Sequence, residues 1–402
     1  MKVLIADKFQ ADGIDRLEKL GCEVSFQPDL SKDELVDAMV SVHPNVLVVR
    51  STKVNAQAIE NGDRLSLIVR AGAGYDTIDV ATASRLGIYV ANCPGKNSIA
   101  VAELTWALIL SCDRRVPDQT QDLRAHRWDK KKYAKAKGLF GRTLGIVGTG
   151  RIGMEVAKRG AAFGMKVVAW SRSLTEEKAV AQGLGFCRSL EDLAKVADVV
   201  SVNVAANSET ANLINGSFLD CMKPGAFFIN TSRGSVVDQE ALEQAIREKG
   251  IRAGLDVFAN EPGSGTAEFV TEIASLEGVY GTHHVGASTD QAQAAIADEA
   301  VRIIASYLEL GEVPNCVNLA KQTPAKCLLT VRHKNVAGVL AHVFQIIGES
   351  DINVEEMENV IYDGADAACA KIQLSRELGA QALEAIQSNA NILSLEFNTL
   401  EN

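Results

Sequence analysis

Three short segments carry side chains whose types suit acid–base and anion chemistry: INTSRGSVVD with Arg233, LDVFANEP with Glu261, and GTHHVGAST with His283 and His284. Histidine exchanges a proton near neutral pH. A carboxylate bound to one ring nitrogen fixes the tautomer and favours the imidazolium that forms when the other nitrogen takes a proton. An arginine fork matches a carboxylate or a developing oxyanion. Each residue also has a plain structural reading: a surface cation for Arg233, a loop charge before Pro262 for Glu261, a core or helix-capping group for either histidine. Converging on one crevice, they read instead as a catalytic set that needs no metal. The residue types alone do not say which histidine belongs to it.

A fourth segment, GTGRIG, spans Gly148, Gly150, Arg151, Ile152 and Gly153 between a predicted strand (TLGIV) and a predicted helix (RIGMEVAKRGAAFG). There the first glycine allows a tight turn, the second lets the backbone approach a pyrophosphate, and the third brings helix against strand. The helix N-terminus favours the anion. An acidic residue for the ribose 2′-hydroxyl is expected roughly 20 residues further on, at the end of the next strand. The chain reads WSRS there, with Ser171 and Arg172. A hydroxyl beside a guanidinium suits a 2′-phosphate. Stacking of Arg172 on the adenine, or its exposure to solvent, is the alternative, so the cofactor is NAD or NADP.

These segments need a scaffold that gathers strand ends. Strand-like runs KVLIAD, CEVSF, NVLVVRS, LSLIVRAG and GIYVANC alternate with helical patterns, and a second series runs through TLGIVGTG, KVVAW, DVVSVNV, GAFFINTS, IRAGLDVF and VYGTHH. Such alternation predicts an α/β chain with two doubly wound parallel sheets, whose ligands bind outside the carboxyl ends of the strands. DQAQAAIADEAVRIIASYLELG predicts a long helix capped at Gly311, and PNCVNLAKQTPAK a connector bounded by Pro314 and Pro324. Beyond it CLLTVRH, AGVLAHVFQIIGES, VEEMENVIYDG, ADAACAKIQLS, GAQALEAIQSN and NILSLEFN read as β, α, β, β, α, β. This is the order of a small ferredoxin-like domain.

With 402 residues the chain is long enough for two or three domains, and its formal net charge of −10 argues against nucleic-acid binding. The basic run RWDKKKYAKAK, with Arg127, Lys130, Lys131, Lys132, Lys135 and Lys137, reads as a solvated face, with steering of a small anion as the alternative. Eight scattered cysteines without a CxxC pair predict reduced thiols, with neither disulfides nor structural zinc. No signal segment or membrane span is apparent, and a cytoplasmic protein is expected.

GTGRIG, FINTSRGSVVDQEAL, LDVFANEP and THHVGAST, in this order, resemble the D-isomer-specific 2-hydroxyacid dehydrogenases across nearly all of residues 1–318. That family has proline where His283 stands and the catalytic histidine next. The resemblance therefore implies His284 as the base, Glu261 as its carboxylate partner and Arg233 on the substrate carboxylate and carbonyl. Thr231 and Asp256 fall among the cofactor-binding residues. VVRSTKV, IVRAGAGYDTIDV and NSIAVAELTWALIL resemble members that oxidise a phosphorylated substrate. They imply Arg50, Lys53 and Arg70 at a phosphate, backbone of Ala73 and Gly74 with Asn97 on the carboxylate side, and Lys130 reaching the phosphate. The tail resembles an ACT domain, in which His333, Asn335 and Asn353 would bind L-serine where two copies meet. The segment VNVAANSETANLI departs from the proline-containing stretch common at that place and leaves one cofactor wall undefined.

The expected organisation is a substrate-binding domain of residues 1–96 and 286–316, a dinucleotide-binding domain of 97–285, a linker of 317–325 and a regulatory domain of 326–402, in a homo-oligomer (dimer or tetramer). The expected reaction is oxidation of 3-phospho-D-glycerate to 3-phosphohydroxypyruvate, entering L-serine synthesis. The alternatives are reduction of glyoxylate or hydroxypyruvate by the same fold, and a nucleotide-sensing corepressor.

Overall fold

The computed structural model describes residues 1–262, 266–320 and 322–400. It divides into two compact units, Met1–Asn318 and Leu319–Asn402. The expected connector falls at their junction, and its Lys321 lies outside the described residues.

Unit one holds two all-parallel sheets. The first contains β1 (Lys2–Ile5), β2 (Glu23–Phe26), β3 (Val46–Val49), β4 (Leu67–Arg70) and β5 (Tyr89–Asn92) in the order β2-β1-β3-β4-β5. The second contains β6 (Thr143–Val147), β7 (Lys166–Trp170), β8 (Gly185–Phe186), β9 (Val199–Val202), β10 (Phe227–Asn230), β11 (Arg252–Leu255) and β12 (Val279–Gly281), ordered β12-β11-β10-β9-β6-β7-β8. Each order reverses beside its first strand, the switch point at which open α/β sheets open a crevice. Central strands such as β3 (VLVV) and β10 (FFIN) are buried along their whole length. Helices cover both faces of each sheet, so these strands need continuous apolar runs, and each sheet lies between two apolar clusters.

Helix Ser98–Arg114 packs on helix Arg151–Ala162 and on β10, β11 and β12, which ties the chain into the second sheet. Helix Asp290–Leu310 is capped by Thr289 at its start and by left-handed Gly311 at its end, as expected. It returns to the first sheet, packing on helix Ala11–Lys19 and β4. Buried Glu299, midway along it, anchors the helix: the carboxylate accepts from Arg302 (2.6 Å) and Asn315 (2.7 Å) and pairs with Lys96 (3.2 Å). Asn318 then binds the backbone of β5 at Val90 (2.8 Å).

Unit two is a four-stranded antiparallel sheet of β13 (Cys327–Lys334), β14 (Val354–Ile361), β15 (Ala367–Leu374) and β16 (Ile392–Thr399), ordered β14-β15-β13-β16. Helices Val339–Glu349 and Ala380–Gln387 complete the ferredoxin-like βαββαβ pattern. Its register separates two of the candidate effector residues within one copy. β15 aligns His333 with Ala368 and Ile361, but Cys327 with Leu374 and Val354. Asn353, one residue before β14, therefore lies at the opposite end of the sheet from His333, and the three candidate effector residues line no common pocket within one copy. His333 is buried and meets Asn359 Oδ1 (3.3 Å), a partner that spacing did not suggest. Asn335 donates to Ala365 O (3.0 Å), and Asn353 to Glu355 (3.0 Å).

Candidate active site

The candidate residues collect at the carboxyl ends of the parallel strands. Arg70 ends β4; Gly148, Ser171, Asn203, Thr231, Asp256 and Thr282 each follow β6, β7, β9, β10, β11 and β12. Glu261 Oε2 lies 2.7 Å from His284 Nδ1, and Glu261 Oε1 accepts the N–H of Phe258 (2.8 Å). Burial alone would push the Glu261 carboxyl up. The hydrogen bonds from His284 and Phe258 and the charges of His284 and Arg233 outweigh it and hold Glu261 below the ordinary carboxylate range. With Nδ1 engaged by Glu261, Nε2 is the ring nitrogen of His284 left for a ligand. His283 is exposed beside it.

Asp256, placed by sequence among the cofactor contacts, is 1% exposed and holds the histidine loop. Its carboxylate accepts from Thr282 Oγ1 (2.6 Å), Val285 N (2.9 Å) and Gly286 N (2.9 Å), and its backbone carbonyl accepts the N–H of His284 (2.8 Å). Thr231 is likewise buried, against Thr105 Oγ1 (2.9 Å).

Arg233 meets a residue given no role from sequence. Its Nε and Nη2 fork onto Asp76 (3.2 and 3.1 Å), and Nη1 donates to Ser232 O (2.8 Å). Asp76 lies in AGAGYDTIDV, so its segment was visible and its partner was not. The backbone at Ala73 and Gly74 runs under this guanidinium: a Cβ on Gly74 would stand 2.3 Å from Arg233 Nη2. Asn92 holds that turn by donating to Ala73 O (2.6 Å).

Arg70 and Arg50 complete a cationic patch. Burial lowers Arg70 to about 10, helped by the charges of Arg233 and Arg50 and opposed by Asp76. Arg70 Nε is buried without a hydrogen-bond partner. Arg50 is lowered by burial against the pull of Asp7, whose carboxylate accepts three successive N–H groups from Arg50, Ser51 and Thr52 (2.6, 3.1 and 3.0 Å). Asn97, at the start of helix Ser98–Arg114, leaves Oδ1 buried and unpartnered. Lys53 and Lys130 are exposed. No described contact joins Lys130 to Arg50 or Arg70; its neighbours Arg127, Lys132 and Tyr133 converge on Asp122 (2.6, 3.0 and 2.6 Å).

The glycine loop opens a cavity of about 340 Å³ between Gly148–Gly150, Trp170–Ser173 and the segment Asn203–Leu213. Gly148 has φ +96°, and a Cβ there would stand 2.6 Å from Asn203 O. A Cβ on Gly153 would stand 2.0 Å from Gly148 O, whereas on Gly150 it would meet nothing within 4 Å. The first and third glycines thus serve the fold and the second faces open space, as a pyrophosphate cradle requires. Asn203 Oδ1, on the facing wall, is buried and unpartnered. These residues fit a dinucleotide. Arg151 reaches the first sheet's side by donating to Pro94 O (2.5 Å), and Ile152 packs into the second sheet's core.

Residues 106–286 match the model of the D-isomer specific 2-hydroxyacid dehydrogenase NAD-binding domain. The chain is 43% identical over 284 residues to the hydroxypyruvate reductase of Thermotoga maritima, covering 70% of this chain and 89% of that protein. It belongs to the D-isomer-specific 2-hydroxyacid dehydrogenases. A D-3-phosphoglycerate dehydrogenase of Methanocaldococcus jannaschii is 36% identical over 366 residues, 90% of this chain and 68% of the relative. The crystal structure of the TT0316 protein from Thermus thermophilus superposes with a TM-score of 0.71 at 34% identity, covering 79% of this chain and all (100%) of that one. As a member of this family the chain is a nicotinamide-dependent dehydrogenase. Among the described residues no helix is long and apolar enough to cross a membrane, and no acidic, His or Cys cluster is arranged to hold a metal ion.

Proposed function

We propose that the chain oxidises 3-phospho-D-glycerate to 3-phosphohydroxypyruvate, the entry to L-serine synthesis. The observation that carries this reading is the cationic patch. Arg50, Arg70 and Arg233 are close enough for Arg70 to feel both other charges, and its buried Nε lacks a partner. Asp76 and Asp7 offset part of this charge, and the buried donor left over on Arg70 makes further negative charge favourable there. A substrate with a phosphate and a carboxylate supplies that charge; glyoxylate and hydroxypyruvate supply only a carboxylate.

The proposed lobes are residues 1–96 with 286–316 for substrate and 97–285 for cofactor. Arg50 and Arg70, with Lys53, hold the phosphate; the Ala73–Gly74 backbone and Asn97 hold the carboxylate side. Arg233 turns from Asp76 toward the substrate carboxylate and the oxygen that becomes a carbonyl. His284 Nε2 takes the hydroxyl proton, and Glu261 stabilises the imidazolium. A bound nicotinamide would supply the hydride acceptor, with the backbone at Gly150 open to its pyrophosphate and Gly148 and Gly153 shaping the loop. Steady-state kinetics with phosphorylated and unphosphorylated hydroxy and oxo acids test the assignment. A kcat/KM for glyoxylate or hydroxypyruvate reduction above that for phosphoglycerate oxidation would replace it.

For the C-terminal unit we propose an L-serine site between two copies of the chain. The ends of the sheet that carry His333 and Asn353 are too far apart in register for one ligand within one copy. A ligand touching both therefore calls for a homo-oligomer.

A further inference from the structure

We propose that Glu209 supplies the carboxylate of the adenosine-ribose site and makes the chain select NAD over NADP. The proposal deepens the cofactor reading and is independent of which hydroxy acid is oxidised.

The strand end at which an acid is expected carries Ser171 and Arg172, and Ser171 Oγ is tied to Thr149 Oγ1 (3.0 Å). Across the same cavity the segment after β9 carries Glu209, and its carboxylate forms an ion pair with Arg172. The segment is built to present it. Asn207 Oδ1 accepts the N–H groups of Glu209 (2.9 Å) and Thr210 (3.1 Å). Buried Thr210 accepts from Asn207 N (2.9 Å) and donates to Ala205 O (2.7 Å). Both members of the pair remain exposed, with 61% and 67% of their side chains accessible, so a nucleotide entering the cavity can reach them.

The charges decide the selectivity. A ribose diol can donate to the Glu209 carboxylate while Arg172 stays paired. A 2′-phosphate carries close to two negative charges near neutral pH. It would have to take Arg172 from Glu209 and then lie beside the displaced carboxylate. The guanidinium that suggests phosphate binding in the sequence is thus neutralised in the fold, and the missing acid returns from the turn after β9.

Calorimetric titration of NADH and NADPH into the full chain tests this without substrate. The wild type should bind NADH about tenfold or more tighter than NADPH. Glu209→Gln should raise NADPH affinity by about tenfold and lower NADH affinity by a few fold. Adding Arg172→Ala should abolish the NADPH gain, and Glu209→Asp should keep the NAD preference. An exposed ion pair contributes little to stability, so all variants should unfold close to the wild-type temperature. A wild type that prefers NADPH, or a Glu209→Gln ratio within about twofold of wild type, overturns the proposal.

Discussion

His284 holds a left-handed backbone, φ +53°, which costs a non-glycine residue of order 1–3 kcal/mol and persists only where its surroundings impose it. Asp256 imposes it through four hydrogen bonds to residues 282–286. Replacing His284 by Ala should lower turnover by several orders of magnitude while leaving nucleotide binding intact, and His283→Ala should be far milder. Kinetics of both variants check this, and the reverse order would move the base to His283. Arg50→Ala and Arg70→Ala should each lose far more kcat/KM on a phosphorylated substrate than on its unphosphorylated analogue. Equal losses in that comparison would remove the phosphate from the site. The motifs made Arg233, Glu261 and His284 legible because they lie in short strand-end segments. Asp76 was not legible, since a carboxylate in a glycine-rich turn gains its meaning only when another sheet brings Arg233 to it. Asp256 shows the complementary failure: a motif names the residue but not which groups its oxygens meet.

Loops and helix ends do the positioning. Gly150→Ala should keep wild-type stability yet lose nucleotide affinity, because its added Cβ meets no protein atom and would stand where the pyrophosphate approaches. Gly153→Ala should lose both, on the order of 1–3 kcal/mol of stability, because its Cβ drives into the Gly148 carbonyl. Thermal unfolding and calorimetry together separate the two. Glu299, midway along helix Asp290–Leu310, is held at about 2, first by the hydrogen bonds it accepts from Arg302 and then, against burial, by Lys96 and Asn315. A carboxyl lowered on folding stabilises above its unfolded value, and that contribution fades as pH falls from the ordinary carboxylate range toward 2. Denaturant melts of wild type and Glu299→Gln should therefore differ by on the order of 2–3 kcal/mol at neutral pH and converge in acid. The long elements were readable from their periods. Strand β8 (Gly185–Phe186) has two residues, too few for a period, and the polar helix Val116–Arg124 opens after left-handed Arg115 with Pro117 in its first turn.

The order of elements foretold three sheets, because βα alternation and the βαββαβ order each admit few topologies. It could not foretell how His333 and Asn353 align, because register across a middle strand follows from pairing rather than spacing. If serine binds between copies, titration into the wild type should give heat and slow catalysis, and Asn335→Ala with Asn353→Ala should remove both. No heat up to millimolar serine would leave the unit an assembly surface or a sensor of something else. The three tryptophans are distributed unevenly between the units: Trp106 stacks on Phe163 at 4.5 Å, Trp128 is 83% exposed, Trp170 lines the nucleotide cavity, and residues 319–402 contain none. Emission excited selectively at tryptophan therefore reports on the first unit alone and is blind to melting of the second. Within that signal, Trp170 lies where a reduced nicotinamide dinucleotide would bind and can pass its excitation to it. Sensitised nicotinamide emission that largely disappears in Trp170→Phe would turn occupancy of the cavity into a colour change needing no label.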